Sequence, residues 1–113
     1  MELEAVDGDG DAVSGRFFVK QDHQGPRGIA HGGIITSALD EAMAMVLVVK
    51  DIHALTRRLE VDLLAPAPVG TFLAVEARLE ERAGGELRLT AAARGDSGAV
   101  AEARGLFVEL GTS

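Results

Sequence analysis

HGGIITSALDEAMAMVLVV, residues 31–49, decides the fold. The stretch predicts a helix from about Gly33 to Val49, closing near Lys50, whose charge suits a carboxy-terminal turn. Its apolar residues fall on nearly every helical face, the pattern of a helix buried all round. Two features do not belong to plain core: the carboxylates Asp40 and Glu41 at mid-helix, and the opening His31-Gly32-Gly33.

The flanking chain reads as strands and turns. Residues 15–21, GRFFVKQ, have the aromatic and β-branched content of a strand, and 23–30, HQGPRGIA, the Gly and Pro of a loop. After the helix, 56–64 put Leu59, Val61 and Leu63 on one face. Residues 71–80 put Leu73, Val75, Ala77 and Leu79 on one face against Glu76, Arg78 and Glu80, and 86–94 alternate as well. Residues 99–110 alternate until Gly105, which predicts a bulge there. The connections are 65–70, 83–85 and 95–98. The expected architecture is α+β: one strand, one buried helix, then a four-strand antiparallel meander. Ala91, Ala93, Ala101 and Ala103 are small enough to let the sheet curl closely around the helix.

At 113 residues the chain is one domain of a size that leaves much surface exposed, which favours a dimer. The expected division is a loose acidic lead-in over 1–12 and a single domain over 13–113. Hydrophobic residues at 47% and charged residues at 26% describe a folded globular chain. A net charge of −7 disfavours nucleic acid and anionic membrane as partners. The longest apolar run, 42–49, is short for a bilayer, and the acidic start is unlike a secretion signal, so the expected location is cytoplasmic. Cysteine is absent, which removes disulfides and thiolate chemistry and leaves carboxylates, histidines, hydroxyls and backbone.

Glycines at a helix start leave N–H groups unobstructed where the helix carries partial positive charge, a place to hold a developing oxyanion. Asp40, buried with no cation beside it in sequence, needs a partner or a chemical task. Gly32 and Asp40 are eight residues apart, about 12 Å along the axis. Both can act on one carbonyl only if they come from two antiparallel helices of a homodimer.

GPRGIAHGGIITSALDEAMAMV followed by TRRLEVDLLAPAPVG resembles the hot-dog-fold acyl-CoA thioesterases of the phenylacetate-type, PaaI-like branch, over about residues 15–110. The motif is HGG with an acid nine residues after the histidine, followed by a strand and a Pro-x-Pro-x-Gly turn. The resemblance implies a long helix wrapped by a five- or six-stranded antiparallel sheet, paired into dimers and often again into tetramers. It implies hydrolysis of an acyl-CoA or aryl-acyl-CoA thioester with no bound cofactor. Gly32 N–H of one subunit would polarise the carbonyl, while Asp40 of the other acts as general base or nucleophile. His31 would support the loop or orient the substrate, Gly33 would lie against it, and Thr56 would position water or the acid. One position departs from the family: the Asn or Gln often found six residues before the histidine is Gly25 here, with Gln24 one place off.

Other readings stand beside these. Asp40 could be a structural acid paired with an arginine, and Glu41 is the rival base, about 100° away around the helix. Met43 and Met45 read as adaptable packing that also lines an acyl tunnel. Arg27, Lys50, Arg57 and Arg58 are candidates for CoA phosphates. Three histidines share no metal-ligand spacing, and Asp7-x-Asp9-x-Asp11 lacks the glycine and glutamate of a calcium loop, so no metal is predicted. Gly95-Asp96-Ser97-Gly98 mimics a nucleophile motif but sits where a hairpin needs a turn. The alternatives to hydrolysis are a non-catalytic acyl-CoA-binding or regulatory module and a hot-dog dehydratase.

Overall fold

Helix α1 spans Gly32–Val49, and its buried residues Ile35, Ala38, Leu39, Ala42, Met43, Val46 and Leu47 recur at three- and four-residue spacing. They form one stripe. Ser37, Glu41, Val48 and Val49 on the rest of the helix are exposed, so the expectation of a helix buried all round is corrected to one covered face and one open face. The helix ends in a Schellman motif: Ile52 N–H donates to the Leu47 carbonyl and Asp51 N–H to that of Val48, with Asp51 in the left-handed region at φ 57°. Lys50 lies at the end as expected, its ammonium 2.6 Å from an Asp11 carboxylate oxygen.

The computed structural model describes residues 2–5, 10–25 and 28–111. Its strands are β1 Glu2–Ala5, β2 Ala12–Phe18, β3 Ala54–Leu63, β4 Phe72–Ala83, β5 Glu86–Gly95 and β6 Gly98–Glu109. They form one antiparallel sheet in the order β1-β2-β4-β5-β6-β3. This is the six-stranded hot-dog arrangement that the resemblance implies. Along β4, Leu73, Val75 and Ala77 are buried against α1 while Ala74, Glu76 and Arg78 face out. Ala91, Ala93, Ala101 and Ala103 are buried beneath the helix, as their size suggests. The outer face carries charge pairs such as Arg104 with Glu60 at 3.0 Å.

Three details differ from the sequence reading. Glu2–Ala5, expected in a loose lead-in, pair with Val13–Arg16 of β2. The meander has three strands, not four: β3 lies beside β6 at the far edge, and β2 takes the free side of β4. The connection after β3 makes this crossing possible by running past the helix start, where Ala30 N–H donates to the Ala67 carbonyl and Val69 N–H to that of Gly28. Gly105 is no bulge, since pairing with β3 and β5 continues through it. A Cβ there would lie 2.8 Å from Phe107 Cε1 and 3.1 Å from Met43 Sδ, so glycine makes room for core side chains.

At 18 residues and mean hydropathy 1.6, α1 is long and apolar enough to cross a membrane by length and composition, but in this fold its apolar stripe packs on the sheet. Asp7 and Asp9 of the calcium-like spacing lie outside the described residues.

Candidate active site

The helix start is built around His31. Its backbone is extended, and its ring Nδ1 accepts a 2.9 Å hydrogen bond from Gly33 N–H, so the histidine is the N-cap of α1. An accepting Nδ1 leaves the neutral ring's proton on Nε2. Both neighbouring glycines make space for this ring. A Cβ on Gly33 would lie 3.0 Å from Nδ1, and one on Gly25 would lie 3.1 Å from His31 Cα and 3.3 Å from Cδ2. The departure at position 25 therefore has a local cause: the His31 residue packs where a side chain would stand. Gln24 instead uses its carbonyl oxygen to accept from Gly28 N–H, bracing the loop.

This cap sorts the two glycines. Gly33 serves as a structural donor, its N–H committed to the ring. Among the described residues no acceptor meets Gly32 N–H, at the first helical position, where the backbone donor is left over by the helix itself. A hollow of about 380 Å³ lies beside it, walled by Ile29, Ile35, Leu63, Leu64 and Val100.

Two turns further on, Asp40 is half-buried rather than buried. Its Oδ1 accepts a 3.2 Å hydrogen bond from Thr56 Oγ1, and among the described residues no cation lies within ion-pair distance. An arginine partner for Asp40 is thus absent from this set of residues. A β-bulge brings Thr56 there. Thr56 pairs with Phe107 and Arg58 with Leu106, leaving Arg57 as an extra residue in β3. Counted back from Leu59 by strict alternation, Thr56 falls on the outer face; the extra residue returns it to the inner face beside Asp40. Nothing in the local sequence marks Arg57 as the bulge, and only the family resemblance pointed to Thr56.

The other candidates are placed elsewhere. Glu41 is exposed and has no polar partner among the described residues. Met43 is wholly buried against Phe107 and Gly105, which corrects its expected place on an acyl tunnel to the core. Arg57 pairs with Glu86 at 3.4 Å and Arg58 with Glu60 at 3.2 Å, while Arg27 lies outside the described residues. Gly95–Gly98 is the β5–β6 turn, as expected. The hollow beside Gly32 includes neither Asp40 nor Thr56, so one chain does not bring the free N–H and the carboxylate together.

The family model of the thioesterase superfamily matches residues 27–94, more than half of the chain and including both halves of this arrangement. The chain belongs to the thioesterase superfamily. Among thioesterase superfamily proteins of known structure, one is 26% identical with a TM-score of 0.85, over 94% of this chain and 54% of its own. The chain thus spans about half that relative's length. The Escherichia coli PaaI protein from the phenylacetic acid degradation operon is 18% identical, with a TM-score of 0.86 over 95% of this chain and 81% of its own. A Streptococcus mutans protein bound to acetyl-CoA is 18% identical, with a TM-score of 0.88 over 99% of this chain and 91% of its own. At these identities the last two likenesses concern the fold. No curated protein matches the chain.

Proposed function

We propose that this superfamily member hydrolyses an acyl-CoA or aryl-acyl-CoA thioester to the free acid and CoA, at a site shared by two subunits. The observation that carries the reading is the pairing of Asp40 with the Thr56 hydroxyl and, among the described residues, with no cation, which leaves the carboxylate available for chemistry. The acetyl-CoA bound to the S. mutans fold neighbour supports the choice of thioester.

Two routes use the same residues. In one, Asp40 takes a proton from water as the water oxygen bonds to the thioester carbon; in the other, a carboxylate oxygen attacks and the resulting anhydride is hydrolysed. Either way the C–S bond breaks and the thiolate leaves, taking up a proton. The Thr56 hydroxyl occupies Oδ1 and orients the carboxyl group for its second oxygen to react. Gly32 N–H of the partner subunit receives the oxyanion, a type of contact worth about 2.7–4 kcal/mol in the transition state.

The free β3 edge supports this pairing of subunits. β3 ends the sheet order, and Leu55 and Leu63 on it, with Leu64 just after it, are 53–62% exposed. A long unpaired edge with apolar side chains is a template for another strand. Antiparallel pairing of β3 with its copy continues the sheet and sets the two helices antiparallel, with further pairing to a tetramer as an extension.

The test is thiol release over short, medium, long and aromatic acyl-CoAs. Asp40→Asn is expected to lose about 10²–10⁴-fold in rate while Glu41→Gln keeps most of it. Binding of acyl-CoA by the wild type without cleavage of any would replace the enzyme by a binding module.

A further inference from the structure

The position of Gly32 depends on a residue eight places before the cap. His31 N–H donates to the His23 carbonyl at 2.7 Å, so the residue that caps α1 is itself held by His23. Between the two the chain doubles back, with Gly25 N–H donating to the Ile29 carbonyl at 2.9 Å and Gln24 bridged to Ala30. Both ends of this loop meet at the His23–His31 contact, and whatever fixes His23 fixes the helix start.

His23 is fixed in two ways. Its ring Nδ1 accepts from Lys20 N–H at 3.1 Å, which closes the short 3-10 turn Gln21–His23 on its own N-cap. The same ring stacks on Phe17, with centroids 5.2 Å and planes 21° apart, and Phe17 packs against the core. Asparagine would offer the acceptor without the ring, and phenylalanine the ring without the acceptor. The contacts run in one line from the core through Phe17, the His23 ring, the His23 carbonyl and the His31 ring to Gly33 N–H. Among the described residues, Gly32 N–H is the donor that this line leaves open.

Resting on the thioesterase reading above, we infer that His23 is a positioning residue for the reaction: it holds His31 in place and so aims the open Gly32 N–H at the thioester carbonyl. An oxyanion donor works only within about 2.7–3.1 Å of the place where the charge develops. A shift of about 1 Å in such a group costs on the order of 10²-fold in rate. Gly25 contributes room for His31 and no side chain, so the link from the cap back to the core runs through His23. His23 touches neither the carbonyl nor Asp40 in this account; it acts through His31.

The test is a double-mutant cycle on thiol release from acetyl-, octanoyl- and phenylacetyl-CoA, with wild type, His23→Ala, Gly32→Pro and the two changes together. His23→Ala is expected to lower kcat by about 10–100-fold while KM stays within about twofold. His23→Asn, which keeps an acceptor for Lys20 N–H, recovers most of that loss. In the Gly32→Pro background, where the donor is already gone, His23→Ala adds less than about twofold. Equal losses in both backgrounds, an unchanged kcat, or a change in KM alone each overturn the inference and leave the thioesterase reading standing. Amide hydrogen exchange reads the same link without turnover: the His31 and Gly33 N–H groups are expected to exchange about tenfold faster in His23→Ala, and unchanged exchange overturns the inference. No cleavage of any substrate by the wild type brings down the thioesterase reading and the catalytic part of this inference together, and the exchange rates then decide by themselves whether His23 holds the helix start.

Discussion

Gly32 and His31 divide the work of the helix start between a free donor and a cap. Removing the cap by His31→Ala exposes Gly33 N–H and costs about 0.5–2 kcal/mol of stability, measurable by urea unfolding. Removing the free donor needs a gentler change. Gly32→Pro deletes one N–H at the helical position that tolerates proline best, and His31 before it already has the extended backbone a proline requires, at φ −65° and ψ 136°. Its expected result is a native helix by circular dichroism and a loss of about 10²–10³-fold in kcat. Thr56→Val, which keeps the shape and loses the hydroxyl, should lower kcat about tenfold, with Thr56→Ser restoring most of it. The sequence pointed to His31, Gly32 and Asp40 through their spacing. The resemblance gave the donor role to Gly32; the residue pattern alone does not separate it from Gly33, because the distinction depends on which N–H the histidine ring claims.

At the scale of elements, the long helix and five of the strands were legible because apolar spacing at three and four, or at two, is imposed by the surface each must bury. The pattern was silent where an extra residue resets the alternation, as at Arg57 and Val100, and where a strand pairs outside its chain neighbours, as β3 does with β6. Gly105 shows the opposite error: a small residue required by packing imitates a break in the strand. Gly105→Ala is expected to cost about 1–3 kcal/mol by pushing on Phe107 and Met43, seen as a lowered midpoint of thermal unfolding. Asp51 occupies a left-handed position better suited to glycine, so Asp51→Gly should leave stability unchanged or raise it by up to about 1 kcal/mol.

At the scale of the whole molecule, a single chain leaves Gly32 and Asp40, the proposed catalytic parts, apart, and leaves one helix face and the β3 edge open. In the proposed dimer two chains would answer both needs, and a site made of Asp40 from one and Gly32 from the other is the central claim. Two tagged variants, Asp40→Asn and Gly32→Pro, each nearly inactive alone, can be co-expressed and assayed together for thiol release. In a mixed dimer one site keeps Gly32 from the first variant and Asp40 from the second, so random pairing should restore about a quarter of wild-type activity. A purified mixed dimer no more active than its two parents would contradict the shared site.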